Sequence, residues 1–138
     1  TFQSDTWEIE KCDITLDVKD DRIEKFLAYL QGIRMIPKGS KIICNEETTL
    51  IGQAEGLALY LNGTDLPTEV YQSNDINELI SELQEALGEK CFLFSWWEGR
   101  TETVLYFYGE KYLEMYESVK PILDIHPLCK LSHTEQIA

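Results

Sequence analysis

The sequence predicts an α+β domain in which helices cover one face of a mostly antiparallel sheet. Two observations indicate this class. Apolar residues recur at helical spacing in three separate segments, and the stretches between them are short and apolar or alternating, as strands are. With 138 residues and 43% apolar side chains, the chain is expected to form a single domain over residues 1–138.

The first strand and the first helix are predicted from alternation and capping residues. Residues 6–18 alternate with one slip in phase, which predicts a long strand with a bulge near Lys11. Asp20 or Asp21 is then expected to cap a helix that ends at Gly32. The apolar face of this helix consists of Ile23, Phe26, Leu27 and Leu30.

The central part of the chain combines turn signals with short apolar runs. A Pro-Lys-Gly-Ser turn at 37–40 precedes a short strand over 41–44, and residues 45–53 are the candidate tip of a hairpin. The apolar run 56–61 predicts a buried strand, and residues 64–72 predict a loop around a proline.

Residues 73–87 carry the clearest helical pattern in the chain. Asp75 and Glu78 form a candidate capping box at the start of this helix, and Gly88 is expected to end it. One face of the predicted helix is apolar and consists of Ile76, Leu79, Ile80, Leu83 and Leu87.

Three further elements complete the pattern. Residues 91–97 and 101–108 predict a hairpin through a Glu-Gly loop. A helix over 110–124 follows, which Pro121 should kink or end early, and residues 129–137 offer a last strand. The elements from the 56–61 strand onward thus predict a ferredoxin-like β-α-β-β-α-β order over residues 55–137. The N-terminal β-α-β is expected to extend the same sheet.

Acidic residues are concentrated in the middle of the chain. The sequence contains 25 acidic and 12 basic residues, for a formal net charge of −13. Residues 42–89 contain ten acids and neither Lys nor Arg, so most of this charge lies in about a third of the chain. Because phosphates repel so acidic a chain, direct binding of nucleic acid or of an anionic membrane is not expected.

The helix predicted over 73–87 concentrates the charge further. Four of its glutamates recur at i, i+4, i+7 and i+11, which places one carboxylate stripe opposite the apolar face: Glu78, Glu82, Glu85 and Glu89. Like charges four residues apart cost a helix about 0.2–0.5 kcal/mol per pair. Two interpretations stay open, a solvated face that aids solubility and a docking surface for a strongly basic protein.

Aromatic residues on the predicted hairpin are the second candidate feature. Trp96 and Trp97 are neighbours on a strand, so their side chains face opposite sides and only one can enter the core. Tyr106 and Tyr108 share one face of the paired strand and are candidates for the same patch. Exposed Trp and Tyr often anchor interfaces, although such residues can also simply stabilise a sheet through cross-strand pairs. These four aromatics and the four glutamates are the predicted partner-binding residues.

No enzyme, metal or cofactor is expected from the sequence. Its four cysteines form no C-x-x-C pair and are predicted to pack as small buried hydrophobes in a reducing cytoplasm, with two disulfides in a secreted protein as the alternative. Cys129 lies close to His126 in sequence, which makes a nucleophile pair conceivable. No apolar run is long enough to span a bilayer, and the first residues do not resemble a signal peptide.

In size, acidity and succession of elements, the chain resembles bacterial immunity proteins of contact-dependent growth inhibition and related polymorphic toxin systems. The resemblance implies a cytoplasmic inhibitor that binds a basic toxin domain, foremost a nuclease, and occludes its active site. One alternative is a non-catalytic regulatory domain that binds another class of protein. The other is a small-molecule-binding domain or enzyme, whose pocket is expected to contain Trp96, Tyr106 or Tyr108 with His126 or a buried carboxylate at its base. The oligomeric state stays open.

Overall fold

The computed structural model describes residues 2–3 and 8–138, with only the backbone at positions 2, 3, 9 and 10. It confirms the α+β class, with four α-helices in this part of the chain and antiparallel pairing between all of its strands. The strands are β1 (Phe2–Gln3), β2 (Ile9–Lys11), β3 (Lys41–Cys44), β4 (Glu47–Leu50), β5 (Glu55–Asn62), β6 (Phe92–Glu98), β7 (Glu102–Gly109) and β8 (His133–Gln136). The helices are α1 (Ile23–Gln31), α2 (Thr68–Ser73), α3 (Ile76–Leu87) and α4 (Tyr112–Ile125).

The main sheet has four strands in the spatial order β6-β7-β5-β8. Leu57 pairs with Phe107 and Leu59 with Leu105, so these side chains lie on the same face of the sheet. All four are buried in a core with residues of α3 and α4: Leu79, Leu83, Leu87, Met115 and Val119. Helices α3 and α4 therefore cover one face, which we call the helix side, and the opposite face is the outer side.

The predicted extension of this sheet by the N-terminal β-α-β is wrong. Strands β3 and β4 form a separate two-stranded sheet, as do β1 and β2. The β3–β4 unit meets the main sheet through backbone contacts, among them Lys38 N–H to the Ala54 carbonyl at 2.7 Å and Ala54 N–H to the Ile36 carbonyl at 3.0 Å. The physical reason is composition, because β3 and β4 carry Lys, Glu and Thr where a strand inside a covered sheet needs apolar side chains.

The start of the chain also departs from its prediction. Of the described residues in the predicted 6–18 strand, Ile9–Lys11 form a strand and residues 12–19 are neither helix nor strand, while Thr6 and Trp7 lie outside the described residues. A strand needs a partner for its N–H and C=O groups, and residues 12–19 have no neighbouring strand. Asp20–Arg22 form a 3₁₀ turn, and no side chain caps α1, so the predicted aspartate cap is wrong.

Four other elements differ in extent. The predicted 64–72 loop contains helix α2, and β8 is shorter than predicted because Pro127–Cys129 form a 3₁₀ turn. Helix α4 continues past Pro121, which is exposed, and the Lys120–Asp124 ion pair at 2.6 Å spans the proline. The uncertain 45–53 stretch is a hairpin whose tip, Asn45 and Glu46, has positive φ at both positions, as a type I′ turn requires.

Two α-helices, α2 and α3, occupy the place where the sequence predicts one. The ferredoxin-like order over residues 55–137 therefore stays a prediction.

None of the helices in the described ranges combines the length and apolar character needed to cross a membrane.

Candidate functional site

Helix α3 is positioned by caps at both ends and by a buried apolar face. Asp75 accepts a hydrogen bond from the Asn77 N–H at 2.8 Å, which satisfies a free donor at the first turn. At the other end, Gly88 has φ 70° and ψ −169° and turns the chain out of the helix. Leu79, Leu83 and Leu87 pack into the core. The opposite side of α3 is thereby held toward solvent.

Three glutamates form the α3 carboxylate face, defined as Glu78, Glu82 and Glu85. All three are exposed. Among residues 8–138, no ion pair joins any of them to a Lys, Arg or His. Lys38 and Lys111 approach Glu55 instead, at 3.2 and 3.9 Å. The α3 carboxylate face is therefore a concentration of negative charge without an ion-pair partner among the described residues.

The fourth predicted glutamate, Glu89, does not belong to this helix. Helix α3 ends at Leu87, and Gly88 redirects the backbone before Glu89. The predicted continuation of the stripe by Glu89 along the helix is therefore wrong, because helical spacing holds only while the helix continues. Glu89 is nevertheless exposed in the turn that leads to β6.

The two tryptophans point to opposite sides of β6, the outermost strand of the main sheet. Trp96 pairs with Leu105 and lies on the helix side, where 67% of its surface is exposed. Trp97 pairs with Val104 and lies half-buried on the outer side, where its ring packs on Gly99. Trp96 is thus the exposed member of the pair.

Tyr106 and Tyr108 share the outer side with Trp97. The hydroxyls of Tyr106 and Tyr60 both donate to Oε1 of Glu8, the latter at 3.3 Å. Burial raises the pKa of Tyr106 and raises that of Tyr60 to about 12, so both hydroxyls stay protonated donors. Tyr108 makes an edge-to-face contact with Phe94, with ring centroids 5.5 Å apart.

The eight predicted residues therefore fall on two surfaces. The α3 carboxylate face and Trp96 lie on the helix side, whereas Trp97, Tyr106 and Tyr108 lie on the outer side, and Glu89 lies apart from both in the turn before β6. The register explains this division, since Trp96 and Trp97 are paired with strand residues that face opposite ways. Only the helix-side group combines exposed charge with an exposed aromatic.

A cleft of about 710 Å³ links α3 to the β6–β7 hairpin. Glu78 at the start of α3 lines it, as do Glu98, Arg100 and Glu102 of the hairpin. Glu98 is not among the predicted partner-binding residues, although strand alternation places its side chain on the same side as Trp96, two residues away. Trp96, Tyr106, Tyr108 and His126 do not line this cleft, contrary to the pocket that a small-molecule function predicts.

Cys129 and His126 do not form an activated nucleophile. Cys129 is buried, and burial raises the pKa of its thiol to about 11, with a further contribution from the Glu82 charge. His126 accepts a hydrogen bond from the Leu128 N–H through Nδ1 at 3.2 Å. A thiol with so high a pKa is protonated near neutral pH and is a poor nucleophile.

Only part of the burial predicted for the other cysteines holds. Cys44 and Cys91 are half-buried, whereas Cys12 is exposed and its predicted burial is wrong. Across the described ranges, no group of three or more His, Cys, Asp or Glu residues is arranged to hold a metal ion.

Comparisons with protein-family models, with curated proteins and with solved structures found no match for this chain.

Proposed function

We propose that this protein is an immunity-type inhibitor that binds a basic toxin domain, foremost a nuclease, through the α3 carboxylate face. One observation carries the proposal: three exposed glutamates share one side of a well-anchored helix, and no ion pair within the described residues neutralises them. A bacterial cytoplasmic location is part of the same proposal. The inhibitor acts by binding and has no catalytic role.

The clustering of charge favours docking over solubility alone. Solubility requires net charge but no particular arrangement, whereas Glu78, Glu82 and Glu85 repel one another along a single helix. Each close pair of like charges costs about 0.2–0.5 kcal/mol. A basic partner removes this repulsion when it binds, and the field of the cluster accelerates its approach.

The proposed inhibitor blocks the toxin because its carboxylates mimic the phosphates of the nucleic-acid substrate. A nuclease holds its phosphate substrate in a cleft lined by basic side chains, since phosphate contacts dominate nucleic-acid affinity. A row of carboxylates on a helix places negative charge at the positions in that cleft where the phosphates of the substrate bind. The bound inhibitor then excludes the substrate by occupying the same space.

The alternatives predict different responses to salt and to ligands. A regulatory domain that binds its partner mainly through apolar contact associates at nearly the same rate at all ionic strengths, because charge steering is weak. A small-molecule-binding domain or enzyme uses the cleft beside Glu98 and Arg100. In that case substitutions of Glu98 and Arg100, rather than of Glu82 and Glu85, abolish function.

The decisive test is charge reversal on α3. We expect a variant carrying Glu78→Lys, Glu82→Lys and Glu85→Lys to associate with the cognate toxin domain at least about tenfold more slowly at low salt. The toxin is obtained from the reading frame adjacent to the gene for this protein or by affinity capture in the native host. Stopped-flow fluorescence at low and high ionic strength measures the rate, and protection of the toxin's substrate measures inhibition.

A matched control separates local from global electrostatics. It reverses three exposed glutamates outside α3 and so changes the net charge equally: Glu24, Glu47 and Glu69. We expect this control to slow association much less than the α3 variant. Equal effects of the two variants, or an unchanged rate in the α3 variant, would remove α3 from the mechanism.

A further inference from the structure

In the part of the chain that the structure describes, one edge of β6 has no neighbouring strand. Gly99 N–H donates to the Glu102 carbonyl at 2.9 Å, which makes these two residues a hydrogen-bonded pair of the β6–β7 ladder. Because such pairs alternate in an antiparallel ladder, Trp97 bonds to Val104 while the backbone groups of Trp96 and Glu98 point away from β7. Since β6 is outermost, these groups face outward at the sheet edge.

The upstream part of the same edge is already closed. The Gln84 side chain of α3 donates from Nε2 to the Cys91 carbonyl at 2.8 Å and accepts the Leu93 N–H at its Oε1 at 3.1 Å. A register shift between Leu93 and Ser95 then interrupts the ladder. Bulges of this kind commonly limit pairing at exposed edges. Among the described strands, none pairs with the short stretch from Trp96 to Glu98 along this edge.

An exposed aromatic and two carboxylates surround this open stretch. The side chains of Trp96 and Glu98 both lie on the helix side, and Trp96 is 67% exposed. Glu98 shares the cleft of about 710 Å³ with Glu78 of the α3 carboxylate face. The Trp96 and Glu98 side chains therefore flank the open backbone on one side, and Glu98 also borders a cleft lined by Glu78 and Arg100.

We infer that an extended, arginine-bearing segment of the basic partner pairs with β6 at Trp96 and Glu98 as a short added strand. The charge of this partner rests on the proposed function, while the strand pairing rests on the edge geometry. Residues opposite Trp96 and Glu98 place their side chains on the helix side. Arginine suits these positions because its planar guanidinium stacks on Trp while donating to nearby carboxylates.

A peptide probe tests strand addition directly. The probe is a capped pentapeptide with arginine at the second and fourth positions and valine elsewhere, titrated into the ¹⁵N-labelled full chain. We expect the amide signals of Trp96 and Glu98 to shift and their hydrogen exchange to slow. N-methylation of the two arginine amides, which face the β6 edge, should weaken binding at least about tenfold. N-methylation of the second and third valine amides, which face away, should weaken it much less.

Two protein variants form the matching pair. Trp96→Ala should weaken peptide binding at least about fivefold through loss of stacking. Phe94→Ala, at an exposed aromatic that contacts Tyr108 on the outer side, should leave binding unchanged. Strand addition is overturned if the peptide does not bind or if the amide signals of Trp96 and Glu98 do not change when it binds. It is also overturned if the two methylated peptides bind equally well.

The two proposals fail in distinguishable ways. If α3 charge reversal slows toxin association while Trp96→Ala leaves the toxin affinity unchanged, the inhibitor function stands and strand addition is wrong. If the peptide pairs with β6 but α3 charge reversal does not alter toxin association, the edge is a docking site and the proposed role of α3 is wrong.

Discussion

At the scale of single residues, Glu55 joins three parts of the chain. Its Oε2 accepts the Tyr112 N–H at the start of α4 at 2.8 Å, and its Oε1 accepts a hydrogen bond from Lys38 at 3.2 Å. The Tyr112 bond is the largest cause, and the Lys38 bond the next, of a pKa below the usual 4.5 for this carboxyl. The negative charge also lies at the positive end of the α4 dipole. Glu55 therefore links β5 to α4 and to residues 8–53, which we call the N-terminal unit.

We expect Glu55→Gln to lower the free energy of unfolding at neutral pH. A carboxyl whose pKa is lower in the folded state contributes stability above its unfolded pKa, and this contribution is lost as the pH falls through the folded pKa. The difference between wild type and variant should therefore shrink below about pH 4.5. Urea unfolding at a series of pH values measures it, with exposed Glu69→Gln as the control. A difference that stays constant from neutral to acid pH contradicts this role.

At the scale of elements, α3 is defined by the way it ends. The backbone of Gly88, with φ 70° and ψ −169°, lies in a region that is essentially open only to glycine. A methyl group there meets no atom within 4 Å, so a substitution strains the backbone without a side-chain clash. This single turn separates Glu85 on the helix from Glu89 beyond it and sets the length of the α3 carboxylate face.

Gly88→Ala should therefore destabilise the protein by about 1–3 kcal/mol. The physical reason is the unfavourable φ and ψ alone, because the site has space for the methyl group. Chemical denaturation measures the change, and Glu89→Ala, one residue further along the chain, is the control. Equal stability of the two variants would mean that the turn relaxes to another conformation at little cost.

At the scale of the whole molecule, burial is distributed unevenly. Buried residues begin at Ala54, and between positions 8 and 53 no described side chain is buried. Several apolar residues of this N-terminal unit are largely exposed, including Ile14, Ile43 and Leu50. The unit meets the sheet at a backbone junction at Pro37 and Ala54 and through side-chain contacts such as those of Glu8 with Tyr60 and of Lys38 with Glu55. Its stability is therefore expected to be lower than that of the four-stranded sheet.

Gly52→Ala should open the backbone junction between residues 36–38 and 53–54. A Cβ atom at position 52 would lie 1.7 Å from the Pro37 carbonyl oxygen, so the backbones must move apart. We expect amide exchange at Lys38 and Ala54 to accelerate at least about tenfold while that of Leu59 stays unchanged. Hydrogen-exchange NMR measures both sites.

The control for this prediction is Gly32→Ala, where the nearest backbone oxygen, that of Tyr29, is 3.3 Å away. We expect it to leave exchange at Lys38 and Ala54 as in the wild type. Uniform acceleration across both regions in Gly52→Ala would show instead that the N-terminal unit and the sheet open together.

Several local features were predicted correctly from the sequence, namely the core face of α3, its cap at Asp75 and its end at Gly88. Helical periodicity and capping act between residues a few positions apart, so they can be read without knowledge of the fold. The separation of β3 and β4 from the main sheet, and the position of Trp96 rather than Trp97 on the helix side, became evident only in the folded structure. Strand register and sheet membership depend on pairing between residues distant in sequence, and local patterns do not specify that pairing.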